Sequence, residues 1–170
     1  MNEHILDGRS DFDFLVGDWT VRHRRLKERL AGCTEWEEFR GTCSLRPLLD
    51  GQANVDDNVL EMPSGTYRAS SIRAYDPATK QWSIWWLDSR RPHDLGAPVV
   101  GAFKDGTGTF FADDVCNGQP IRVRFLWTDI TSVSARWQQA FSRDGGATWE
   151  TNWIMEFERS EDSSHRPART

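Results

Sequence analysis

A chain of 170 residues with 38% hydrophobic and 28% charged residues has room for one domain with its own core. Its formal net charge of −5 and the scatter of its basic residues argue against a phosphate-backbone partner, so no nucleic-acid binding is expected. No segment reaches the length of a membrane span, and no basic stretch followed by an apolar run opens the chain. No membrane partner is therefore expected, and the expected location is cytoplasmic.

In chain order, residues 1–10 are polar and irregular and read as a flexible end. Asp11 to Val16 is expected to form a short capping turn or helix, with Asp11 as its N-cap. Over 19–30 two patterns compete. Leu26 and Leu30 are helix-spaced, whereas Trp19, Val21 and His23 alternate as a strand does, and the strand is preferred. The basic run Arg22 to Arg29, interrupted by Glu28, reads as a solvated face. Val55, Asp57 and Val59 alternate with Asn54, Asp56 and Asn58, and the valine side is expected to face inward. In the strand 66–75, Arg73 and Tyr75 share one face and compete for the interior with Ser70, Ile72 and Ala74 on the other.

The segment Gln81 to Asp88 is apolar on both faces, with Trp82, Ile84 and Trp86 opposite Trp85 and Leu87. An N-terminal segment or a second subunit must cover its outer face, so a homodimer is one expectation. Three later segments alternate cleanly. Ile121, Val123, Phe125 and Trp127 share a face over 121–128, Val133, Ala135, Trp137 and Phe141 over 132–142, and Trp149, Trp153, Met155 and Phe157 over 149–159. Residues 160–170 read as a flexible tail.

Turn chemistry separates these segments at short intervals, as at Leu49-Asp50-Gly51, Asp76-Pro77, Lys104-Asp105-Gly106, Cys116-Asn117-Gly118 and Arg143-Asp144-Gly145-Gly146. Regular short strands between such turns predict an all-β fold. The expected form is a single antiparallel up-and-down barrel of about eight to ten strands over residues 11–159. Closure removes the exposed sheet edges.

Standard catalytic motifs are absent: no G-x-S-x-G elbow, no Walker A loop, no H-E-x-x-H and no G-x-G-x-x-G opening a helix. Cys33, Cys43 and Cys116 lie far apart with no C-x-x-C pair, which speaks against a zinc ribbon or a disulfide framework. His4, His23, His93 and His165 are dispersed. No metal site and no cofactor are expected, although His93 or His23 could supply a haem axial ligand.

Nine tryptophans are more than packing alone asks of a domain this size. Strand parity makes Trp82, Trp86, Trp127, Trp137 and Trp153 candidate walls of a ligand pocket, with Arg73 and Asp88 as polar contacts. Trp85 faces the other way, and Trp149 closes a hairpin. Were the site catalytic, His23 or Asp57 would move a proton and Tyr75 would donate to a developing oxyanion. Inward charges such as Asp57 and Arg73 would need partners, and a structural ion pair is the competing explanation.

The opening Phe12-Asp13-Phe14-Leu15-Val16-Gly17-Asp18-Trp19 resembles the start of a calycin-like bacterial family of unknown function. Tyr67 through Ile72-Arg73-Ala74-Tyr75-Asp76 to Trp82, Trp86 and Asp88 is similar to the same family, as is Phe141 to Glu150. The resemblance implies a lipocalin-like barrel with an internal pocket and no particular activity. Ser142-x-Asp144-x-Gly146-x-Thr148-Trp149 also resembles the Asp box of sialidase-type propellers. Its single occurrence in a chain this short reads as a hairpin stabiliser. Binding of a small hydrophobic or aromatic molecule is therefore the leading expectation. A cofactor-independent cyclase, isomerase or lyase acting on a bulky natural product is the alternative.

Overall fold

The computed structural model describes residues 7–161. Ten strands run in chain order: β1 (Gly17–Leu26), β2 (Trp36–Leu48), β3 (Ala53–Met62), β4 (Gly65–Asp76), β5 (Gln81–Asp88), β6 (Val99–Lys104), β7 (Thr107–Cys116), β8 (Gln119–Thr128), β9 (Ser134–Ser142) and β10 (Glu150–Arg159). Each pairs antiparallel with its sequence neighbours, and β10 returns to β1, so the sheet closes into an up-and-down barrel. Short connections account for this order, since antiparallel neighbours need only a tight turn. Asp105-Gly106 and Asn117-Gly118 take the left-handed conformations that a two-residue hairpin turn demands, with φ of 52° and 77° in the former and 50° and 74° in the latter.

The competition over 19–30 resolves in favour of the strand, which stops at Leu26. Lys27 N–H bonds Glu35 C=O, and Leu30 has φ 56°, which no helix tolerates. In β2, Gly41 lets two strands approach closely. A Cβ there would lie 2.3 Å from the Val59 carbonyl oxygen and 3.0 Å from His23 Nε2.

A short 3-10 turn, Asp13–Leu15, plugs one end of the barrel. Phe12 and Leu15 are fully buried, and Phe12 meets the edges of Trp82 at 5.1 Å and Phe103 at 4.9 Å. Main-chain carbonyls of this segment are held by side chains of the wall. Trp19 Nε1 donates to Leu15 O at 2.9 Å, Trp82 Nε1 to Gly8 O at 3.0 Å, and the Arg159 guanidinium to Phe14 O and Val16 O at 2.8 and 2.6 Å. The expected cap at Asp11 is not formed. The residue preceding the turn is Phe12, which makes no side-chain cap bond, and the Asp11 N–H bonds Gly8 O instead. The described part of the N-terminal segment therefore enters the barrel end, and among the described residues it does not cover the outer face of β5, where Trp85 and Leu87 are half-buried. Most of residues 1–10 and 160–170 lies outside the described residues.

Two parity expectations are overturned. On β3 the residues that face inward are Asn54, Asp56, Asn58 and Leu60, not Val55, Asp57 and Val59. The usual apolar-in rule inverts because Arg73 on β4 faces the interior beside this strand and draws the polar side chains inward as partners. Asp57 points outward and pairs with Arg68 at 2.6 Å. Val133 is the second case. It precedes β9, in the turn that Thr131 closes on Ser134, and is exposed there.

The last hairpin bears out the stabiliser reading of the Asp-box-like segment. Asp144 accepts from Thr148 N–H at 2.8 Å and from the Thr148 and Ser142 hydroxyls, while Trp149 Nε1 donates to Gly146 O. These bonds hold the Asp144 carboxyl well below its usual range. In β10 the register shifts between Thr151 and Trp153, a bulge that keeps Trp153, Met155 and Phe157 on the inner face.

Candidate ligand cavity

Between the plug and the opposite, open end lies a cavity of about 620 Å³. That is within the range of small-molecule sites, roughly 300–1,000 Å³. Its aromatic wall comes from the inner faces of β5 and β8–β10: Trp86, Phe125, Trp127, Trp137, Trp153 and Phe157. Four of these rings meet edge to face, with Trp137 and Trp153 at 5.6 Å, Trp86 and Trp153 at 6.0 Å, and Phe125 and Trp137 at 4.8 Å, while Trp127 and Phe157 are tilted at 5.2 Å. Mutual edge-to-face packing fixes their orientation.

One polar patch interrupts this wall. Arg73 Nη2 bonds Asp56 Oδ2 at 2.7 Å, and Nη1 bonds Asn54 Oδ1 at 3.0 Å. Asp56 Oδ1 also accepts from Asn58 Nδ2 and from the Ser71 N–H, both at 2.6 Å. The pair is buried and every Asp56 oxygen is occupied, as a buried ion pair requires. Arg73 lies over the Phe12 ring at 5.2 Å and keeps one buried donor, Nε, without a partner.

The open end carries cations. Arg25, one residue before the end of β1, has its guanidinium 4.9 Å from the Trp153 ring, and Arg29 follows in the β1–β2 loop, 6.0 Å from Phe141. Arg90 lies 4.0 Å over the Tyr67 ring and is bound by Asp88 through both carboxylate oxygens, at 2.9 and 2.6 Å.

The other candidates occupy separate places. Trp86, Asp88, Arg73, Trp127, Trp137 and Trp153 do line the cavity. Trp82 does not. It packs beneath the plug against Phe12, and Tyr75 leans on it at 5.4 Å, so both belong to the closed end. His23 is buried behind the wall, stacked on Phe39 at 4.5 Å, and its Nδ1 accepts the Trp153 indole N–H at 3.1 Å. Burial first, and Arg25 second, push its pKa down to about 3, so at neutral pH it is an uncharged acceptor that orients Trp153. With Asp57 outside the barrel, the expected His23, Asp57 and Tyr75 set is not brought together. His93, the other haem-ligand candidate, is exposed in the β5–β6 connection.

Residues 9–95, just over half of the chain, match the model of a family described as protein of unknown function (DUF1579). The chain belongs to this family. No curated protein matches it. Among solved structures the chain is similar to the S-type phycobiliprotein lyase CPES from Guillardia theta. The two are 11% identical with a TM-score of 0.60, over 96% of this chain and 100% of that one. It is also similar to a de novo designed fluorescence-activating β-barrel, at 13% identity and a TM-score of 0.47, over 87% of this chain and 95% of that one. At these identities the first likeness establishes a shared barrel fold.

Sequence reasoning missed Asp56, Asn54 and Asn58, which the inverted parity of β3 hid. It also missed the mouth arginines. Arg25 shares the parity of Trp19, Val21 and His23, and that alternation was the available signal.

Proposed function

We propose that this protein binds one small apolar or aromatic molecule inside the barrel. The observation that carries the reading is the cavity of about 620 Å³ walled by four tryptophans, Trp86, Trp127, Trp137 and Trp153. A plugged floor and an open mouth make it a one-ended container, and ordered indole edges and faces suit a flat guest better than a flexible one. A cytoplasmic location and a homodimer through the outer face of β5 belong to the same proposal.

One observation favours a second reading, a cofactor-independent cyclase, isomerase or lyase. The Arg73–Asp56 pair and Tyr67 line the cavity, so a bound substrate would meet a fixed cation and a phenol. In that case Arg73 with its free Nε, and not His23 or Asp57, is the group positioned to stabilise a developing anion. The phycobiliprotein lyase of similar fold carries a name in keeping with this alternative.

Titration with the neutral dye N-phenyl-1-naphthylamine tests the binding reading. Saturable quenching of tryptophan emission at one dye per chain is expected. It should weaken at least about tenfold in Trp137→Ala, the loss that removal of a central aromatic contact brings. Undiminished binding by Trp137→Ala would place the dye elsewhere.

A further inference from the structure

Among the described residues, two arginines at the cavity mouth have no anionic partner. Arg25 and Arg29 both line the cavity, and among the described residues neither makes a salt bridge. Arg25 rests on the Trp153 ring and touches the Met62 sulfur at 3.8 Å. Arg29 is half-buried, and its Nε is shielded from solvent with no hydrogen-bond partner. Burial, and after it the neighbouring Arg25 guanidinium, lowers the Arg29 pKa to about 10. A third cation, Arg90, is already satisfied by Asp88.

Acidic residues also ring the mouth and must be weighed. Asp94, Asp113 and Asp114 line the same opening, but all three are exposed, and Asp114 accepts from the Val115 N–H. Water screens charges in that position, whereas cations held half-buried against aromatic rings keep their field. Two unpaired cations held side by side repel each other and are partly desolvated, which is unfavourable until an anion arrives. Their guanidinium groups are planar donors suited to carboxylate, sulfonate or phosphate oxygens.

We infer that the ligand is an amphipathic anion: an aromatic body seated among Trp86, Trp137 and Trp153, with an acidic group of the carboxylate class held at the mouth by Arg25 and Arg29. This rests on the binding reading above and adds the charge and orientation of the guest. The acidic end lies toward solvent and the ring system toward the plug.

Two dyes that share an anilinonaphthalene skeleton separate the claims. 8-Anilinonaphthalene-1-sulfonate carries the anion, and N-phenyl-1-naphthylamine lacks it. Both are titrated by fluorescence into the full chain and into Arg25→Gln, Arg29→Gln and the outer-face control Arg24→Gln, which sits over Trp36 and pairs with Glu38. The sulfonate is expected to bind the native protein at least about tenfold more tightly than the amine, the scale of one charge-assisted contact. That advantage should shrink toward parity in Arg25→Gln and Arg29→Gln and persist in Arg24→Gln. A native circular dichroism spectrum and a cooperative urea transition certify that each variant is folded, and the ratio of the two dye affinities is compared within each variant. An aliphatic and an aromatic carboxylate then serve as competitors, and displacement by the aromatic one at lower concentration is expected. Equal binding of the two dyes, or a sulfonate advantage untouched by Arg25→Gln and Arg29→Gln, overturns the inference and leaves the cavity reading intact. Preference for the aliphatic competitor overturns the aromatic body, and binding of neither dye overturns both readings.

Discussion

Asp56 and Asp57 are neighbours with opposite fates. Asp56 is buried against Arg73, whereas Asp57 makes a solvent-exposed pair with Arg68. Asp56→Asn leaves the Arg73 charge uncompensated in the interior and should cost about 3–5 kcal/mol. Asp57→Asn removes only a surface pair worth about 0–1 kcal/mol. Urea denaturation of the two variants reads this contrast, and similar losses in both would contradict the inward placement of Asp56. His23 supplies a pH test. It stays neutral in the folded chain down to about pH 3, whereas in the unfolded chain it takes up a proton near 6.5. Its contribution is thus complete above pH 6.5 and is lost as the pH falls toward 3, with a slope approaching about 1.4 kcal/mol per pH unit. His23→Gln should lack that slope between about pH 7 and 5, where most carboxylates stay ionised. At this scale the sequence was partly legible. Alternation located His23 and the wall tryptophans, but it left the face of Arg73 open and pointed to the wrong face of β3, because that choice depends on a partner on the adjacent strand.

Among the elements, the strands were the most legible, since each hairpin carries its own turn signal and each strand its own alternation. The N-terminal segment was less so. Its motif marked a capping turn, but nothing local shows that Phe12 enters the barrel end, a placement set by rings from β5, β6 and β7. Because Phe12 is only 1% exposed and also lies under Arg73, Phe12→Ala should cost about 3–5 kcal/mol, measurable as a lowered denaturation midpoint. It should also unlock the cavity floor. A loss under about 1 kcal/mol would mean that the plug is not part of the core. Trp82 and Tyr75 are explained at this scale too. They share the inward parity of the wall residues, but the plug covers them, so parity alone overstated the cavity lining.

For the whole molecule, composition and turn spacing pointed to a closed barrel, and the excess of tryptophan pointed to a lined interior. The tryptophans divide by task. Trp86, Trp127, Trp137 and Trp153 wall the cavity, Trp19 and Trp82 hold the plug, Trp149 fixes the last hairpin, and Trp36 and Trp85 lie on the outer surface. The volume of the cavity and the charge at its mouth emerge only when all ten strands close, which is why the guest's chemistry was not readable along the chain. The proposed binding site is the interior of this barrel. Ala112, on β7, lines the cavity with a methyl group alone and can be enlarged without removing either partner of the Arg73–Asp56 pair. The direct measurement is the stoichiometry and affinity of N-phenyl-1-naphthylamine for the native chain and for Ala112→Trp, whose added ring fills the space. One saturable site is expected in the native protein and its loss in Ala112→Trp with the fold retained; equal binding by both would place the dye outside the barrel.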